Sequence, residues 1–150
     1  MGLTVNRALD VVLRTLFEQL NLPCSGDSAD RTLLNGGPVQ QGWGFVLHPN
    51  SNKNWQATQK IGSNISLTSS RDIIEDIASN IGAPEHHLIV LGYAGWAAGQ
   101  LEAELLANAW LTVPADPIFL FDTPLEQRAD RAATSIGVEL SKLSKHAGHA

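Results

Sequence analysis

The chain has 150 residues, 43% hydrophobic and 17% charged, with 10 Lys and Arg against 15 Asp and Glu and a formal net charge of -5. That length suits one domain able to bury about 70% of its unfolded surface, and the composition is that of a globular protein, which excludes wholesale disorder. No apolar run approaches the roughly 20 residues that span a bilayer, and the basic residues are scattered, which argues against a membrane protein and against direct DNA binding.

From Ala8 to Leu20, the residues Val12, Leu16, Phe17 and Leu20 recur near helical spacing and predict a first helix. Pro23 and Gly26 mark a loop reaching Arg31. RTLLNGGPV and WGFVLHP predict short strands around a glycine turn, with Pro49 ending the second. WQATQKI and NISLTSS predict a hairpin joined across Gly62 and Ser63. Ser69, with Asp72 three residues on, predicts the capped start of a helix carrying Ile73, Ile74, Ile77 and Ala78 and stopped by Gly82 and Pro84.

HHLIVLGY is short, apolar and β-rich, the pattern of a central strand covered on both faces. GQLEAELLANAW predicts an amphipathic helix with Leu101, Leu105 and Leu106 on one face. WLTVPADPIFLF predicts one or two brief strands interrupted by Pro114 and Pro117. Thr123, Pro124 and Glu126 read as N-cap, N1 and N3 of a last long helix running through Ala129, Ala132, Ala133 and Ile136 to Gly137. A short turn in VELSKLS follows. Helices and strands mix without strict alternation, which favours an α+β fold over a doubly wound one.

The glycines of LGYAGWAAGQ permit tight turns around Tyr93 and Trp96, as architecture or as backbone amides facing an anion. Their spacing matches neither a phosphate loop nor the dinucleotide fingerprint, so no cofactor is expected. Packing over core is the favoured role for Trp96 and Trp110. His48, at a predicted strand end, is a candidate acid or base and, by preference, a hydrogen-bonded strand-end histidine. Asp116 and Asp122 could do acid/base work only if the fold brought them together; a turn and a helix cap are preferred for them.

His86 and His87 point to opposite faces of a strand, poor geometry for one metal, and no carboxylate or cysteine completes a site with His146 and His149, so no metal is expected. The single cysteine, Cys24, cannot form an intramolecular bridge, and together with an amino terminus lacking a signal-peptide pattern it points to the cytoplasm.

Four segments in one order, NGGPVQQGWGFVLH, TSSRDIIEDI, LGYAGWAAGQLEAELLANAWL and KHAGHA, resemble the YqgE/AlgH family of bacterial proteins over nearly the whole chain. The resemblance implies an α+β fold with a mixed, branched and partly barrel-like β-sheet surrounded by helices. It also implies a role in transcriptional regulation, with no catalytic residue to carry over. Against the family pattern the chain reads as a single domain, residues 1–150, short of the usual amino-terminal strand region, and Trp43 stands where relatives often have Arg. The expectation is a cytoplasmic binding or regulatory protein with a candidate ligand pocket at Gly36, Gly37, His48, Tyr93 and Trp96, taking a small molecule or a protein partner. The alternative is a small-molecule hydrolase pairing His48 with Asp116 or Asp122. Nothing in the residues selects an oligomeric state.

Overall fold

The computed structural model describes residues 1–25 and 27–143; His146, His149 and the KHAGHA segment lie outside them. The chain divides into two compact units, Met1–Gly95 and Trp96–Ala150. Among the described residues no helix is long and apolar enough to cross a membrane.

The first unit is built on strands β1 (Ala8–Val12), β2 (Thr32–Asn35), β3 (Val39–Pro49), β4 (Thr58–Ile61), β5 (Ile65–Thr68) and β6 (Leu88–Tyr93), with helices α1 (Leu13–Gln19) and α2 (Arg71–Ser79). They form one open sheet in the order β1-β2-β6-β3-β5-β4, which does not close into a barrel. Only the β2 and β6 pair is parallel; every other neighbouring pair is antiparallel. With helices beside a mixed sheet, the fold is α+β, as the sequence pattern implies.

β6 is the reason this sheet exists as one piece. It lies between β2 and β3, with Leu34 opposite Val90 on one side and Phe45 opposite Val90 on the other. Successive side chains leave a strand on opposite faces. Ile89 and Val90 are both buried, so β6 is covered on both sides, as its unbroken apolar run predicts. On the Ile89 side the core gathers Leu13, Phe17, Leu33, Val46, Ile73 and Ile77. Each such side chain, fully buried, contributes on the order of 1.5–3 kcal/mol.

The expected first helix starts later than its apolar spacing suggests. Ala8–Val12 pair with β2, Ala8 opposite Leu34 and Val12 opposite Thr32, and only Leu13 onward turns helical. The β-branched pair Val11 and Val12 suits an extended backbone, and the sheet supplies the partner.

The β4–β5 hairpin is as expected. The N-cap of α2 is one residue later than expected, Ser70 in place of Ser69, and its hydroxyl is engaged elsewhere, donating to Asp72 at 2.5 Å and accepting from the Ala57 amide at 3.0 Å. α2 ends at Asn80 in the left-handed conformation, φ 56°. Trp55 is buried beside it and donates Nε1–H to Asp76 at 2.6 Å, while Lys53 pairs with the same carboxylate.

The second unit holds α3 (Gln100–Leu106), α4 (Pro117–Asp122), α5 (Arg128–Ser135) and α6 (Leu140–Leu143). Two expectations fail here. Pro117–Asp122 is helical, not extended, because Asp116 caps it by accepting from the Ile118 amide at 2.9 Å while Pro117 occupies the first turn. Thr123 closes α4 and its side chain caps nothing; its carbonyl accepts from Arg128 Nε at 3.1 Å, and a 3-10 turn at Leu125–Gln127 leads into α5. α3 is the expected helix, though none of its residues is buried and Leu106 is 85% exposed.

Candidate functional site

The two ends of β6 have opposite characters. At its carboxyl end the link between β2 and β3, Gly36–Gly37–Pro38, must cross from one side of β6 to the other. A Cβ on Gly36 would stand 2.3 Å from the Gly92 carbonyl oxygen, and one on Gly37 2.3 Å from the Tyr93 carbonyl carbon. Gly92 itself sits at φ +72°, with its missing Cβ 2.6 Å from the Gly37 oxygen. The crossing is tied by Gly36 N–H to the Leu91 carbonyl at 2.8 Å and by Gly37 N–H to Asn35 Oδ1 at 3.1 Å. Backbone packs on backbone there, and only glycine fits. Beside it, Leu9, Asn35, Gln41 and Leu91 line a recess of about 120 Å³.

The structure therefore brings Gly36, Gly37 and Tyr93 together, and Tyr93 also meets Phe45 edge-on at 6.2 Å. It places His48 elsewhere. Leu47 pairs with Leu88, the first residue of β6, so His48 lies at the opposite end of that strand from Tyr93, roughly 17 Å away at about 3.3 Å per residue. Trp96 belongs to the second unit. There it meets Trp110 edge-on at 5.9 Å, and both indoles donate to Glu104 Oε2, at 3.2 and 2.8 Å, while Gln100 donates to Oε1 at 2.9 Å. The hydrogen bonds from Trp110 and then Gln100 hold the Glu104 carboxyl below its ordinary range. Trp110 is 47% exposed, so this is a surface clip and not a core contact.

At the amino end of β6 the packing is polar. His48 is 1% exposed and stacks edge-on against Trp55 at 4.9 Å. Its Nδ1 lies 2.8 Å from the Pro49 carbonyl, which can only accept, so Nδ1 carries the proton and Nε2 accepts from Thr68 Oγ1 at 2.9 Å. Burial lowers its pKa, with the Pro49 hydrogen bond opposing. With both nitrogens engaged, His48 offers no lone pair for proton abstraction. Asp116 is spent on capping α4, and Asp122 ends that helix.

Next to it stands the feature that sequence reasoning did not assign. The loop after α2 and the segment before β2 enclose a cleft of about 260 Å³ whose walls include Ser28, Arg31, Asn80, Pro84, Glu85 and His87. His87 is 93% buried by the complement of its 7% exposure, and its Nδ1 donates to the Pro84 carbonyl at 3.0 Å. By the same logic Nε2 is a bare acceptor, and it is buried with no hydrogen-bond partner. Burial, reinforced by the positive charge of Arg31, lowers its pKa to about 4, although the Pro84 bond opposes the shift, so the ring is neutral at pH 7. A buried acceptor left unpaired costs on the order of 1–3 kcal/mol. The legible signal was HHL: a histidine entering a strand covered on both faces is itself buried. Among the described residues no three His, Cys, Asp or Glu side chains group to hold a metal.

An open six-stranded mixed sheet with a glycine crossing at one end of its central strand and a polar cleft at the other defines an α+β protein. The AlgH-like family model, DUF179, matches residues 1–141, and the chain belongs to that family. It is 52% identical to the UPF0301 protein azo3459 of Azoarcus sp. (strain BH72), covering all of this chain and 79% of that one. It is 47% identical to a UPF0301 protein of Saccharophagus degradans, covering all of this chain and 73% of the relative. The solution structure of the AlgH protein from Pseudomonas aeruginosa superposes with a TM-score of 0.78 at 49% identity, over all of this chain and 79% of that one. The crystal structure of protein DIP2367 from Corynebacterium diphtheriae shares the fold, with a TM-score of 0.62 at 18% identity over 86% of this chain and 68% of its own.

Proposed function

We propose that this protein is a non-catalytic binding protein that takes up a small ligand in the cleft at the amino end of β6 and acts as a regulator through that ligand. The observation that carries the reading is the cleft of about 260 Å³ that gathers Arg31, Asn80, Glu85 and His87 from two loops, a space of the size a small metabolite takes. The regulatory part rests on the likeness to the AlgH-like family. The net charge of -5 turns the reading away from direct DNA contact and toward a ligand or a protein partner. We place the protein in the cytoplasm on its single cysteine, Cys24. A hydrolase built on His48 is the weaker reading, because both of its ring nitrogens are engaged within the fold.

A thermal-shift screen against nucleotides, phosphorylated metabolites, amino acids, metal ions and short DNA duplexes tests the reading, since a compound bound only by the folded state raises the melting temperature. The expected result is a metabolite whose shift disappears in Arg31→Met. A shift given by duplex DNA alone, persisting at high salt, would replace the ligand reading with DNA binding, and no shift from any small molecule would remove it.

A further inference from the structure

We infer that the stretch joining α2 to β6 is an acid-released latch: the neutral, buried ring of His87 holds residues 82–87 against the fold, and uptake of a proton by that ring frees them. The inference concerns the free protein and holds whether or not the cleft takes a ligand. This stretch has little else to hold it. Among the described residues, none of positions 82–85 gives or takes a backbone–backbone hydrogen bond, and Gly82, Glu85 and His86 are exposed. Ala83 packs partly against the core, and the Pro84 carbonyl is held from within the stretch by His87 Nδ1 at 3.0 Å. His87 is the only buried residue of the six. On either side the chain is secured without it, since α2 buries Ile73, Ile74, Ile77 and Ala78, and β6 pairs with β3 from Leu88 onward. Local opening draws on such weakly tied segments and leaves the rest of the fold in place.

The anchor tolerates one charge state. Its proton sits on Nδ1, and Nε2 is buried without a partner. A proton added at Nε2 makes a second donor with no acceptor and a cation out of reach of water. The charged and titratable groups that act on the ring are Arg31 from the segment before β2, His48 from β3 and His86 beside it, and each of them disfavours the cation. Of the acids nearby, Asp30 is paired with Arg14 and Asp76 with Lys53, while Glu85 is exposed on the cleft wall. Freeing the stretch lets water solvate the imidazolium. Burial holds the closed ring at about 4 against the ordinary 6.5 of a free histidine, so between these values the open form gains on the closed one by about tenfold per pH unit, and above 6.5 it gains nothing. Ala83, Pro84, Glu85 and His87 line the cleft opposite Ser28 and Arg31, so release of the latch takes down one of its walls.

The test is 15N chemical-exchange saturation transfer NMR on the full chain from pH 7 to pH 5. The expected result is a minor form confined to residues 82–87, constant in population above pH 6.5 and growing about tenfold per pH unit below it, with none at Ile89 and Val90. His87→Leu, which keeps bulk and cannot take a proton, abolishes the growth, whereas Glu85→Gln keeps it. A minor form that includes Ile89 and Val90 means that the sheet opens as a whole and overturns the latch. So do a population indifferent to pH, the lack of any minor form at pH 5, or growth lost in Glu85→Gln. If His87→Leu does not fold, the comparison of residues 82–87 with Ile89 and Val90 in the wild-type chain decides alone.

Discussion

The carboxyl end of β6 is closed by backbone and its amino end is open to chemistry. Around Gly36, Gly37 and Gly92 the chain crosses itself with no room for a methyl group, and the Gly36 and Gly37 amides each have an acceptor. Around His48 and His87 one imidazole is fully satisfied and the other, on a residue that lines the cleft, keeps a buried lone pair with no hydrogen-bond partner. Glycines in a sequence attract functional readings because they also build phosphate loops. Here the glycines make the topology possible, and the unpaired buried nitrogen sits five residues upstream of Gly92, in a plain His-His-Leu.

The contrast can be broken most forcefully at the closed end. Gly36→Ala puts a Cβ 2.3 Å from a backbone oxygen that cannot rotate away, so we expect a loss of about 3 kcal/mol or more in urea unfolding. A loss below 1 kcal/mol would mean that the crossing has slack. The next effect belongs to the open end and appears as pH dependence. Burial holds the folded His87 ring at about 4 against the ordinary 6.5 of an unfolded histidine, so between these values the unfolded chain binds the extra proton. Stability attributable to His87 is therefore intact above pH 6.5 and falls as pH drops toward 4, by about 3 kcal/mol at 1.4 kcal/mol per unit. The difference between wild type and His87→Leu, measured from pH 7 to pH 4, isolates that slope from the same-signed contribution of His48; a flat difference would sink the assignment.

A smaller loss is expected from Thr68→Val, which leaves His48 Nε2 buried without its donor and should cost about 2 kcal/mol, read as a shift in the urea midpoint. If Thr68→Val proves neutral, the two histidines are not the satisfied and unsatisfied pair described above. Smallest of all, Arg31→Met and Glu85→Gln should change stability by no more than about 0.5 kcal/mol, because neither side chain supports the fold. A large loss at either position would recast the cleft as a structural junction.

Much of the sheet was readable because local pattern and global need agree. Leu88–Tyr93 is apolar without interruption and is the interior strand; Thr58–Ile61 and Ile65–Thr68 flank a glycine turn and form the hairpin. Ala8–Val12 was misread because Val12, Leu16 and Phe17 keep helical spacing while the sheet claims the first five residues. In WLTVPADPIFLF the apolar composition outweighed the Asp116–Pro117 cap, a helix-start signal that was present and undervalued. The candidate site was only partly legible. Of the candidate residues, Gly36, Gly37 and Tyr93 meet in the fold, whereas His48 is set apart by its register to Ser66 and Leu88, which no local pattern reveals. The cleft residues Arg31, Glu85 and His87 carry no recognisable spacing, because they converge from two loops separated by some fifty positions.

The position of β6 also governs how the chain can be made. Until residues 88–93 emerge from the ribosome, β1 and β2 on one side and β3, β5 and β4 on the other have paired only among themselves, joined through Gly36–Gly37–Pro38. The slot between β2 and β3 then exposes two unsatisfied strand edges lined with Leu34 and Phe45, a surface prone to pair with the wrong partner. Completing the sheet requires a late strand to enter an existing gap, a non-local closure that slows folding and lengthens the interval in which chaperones are useful.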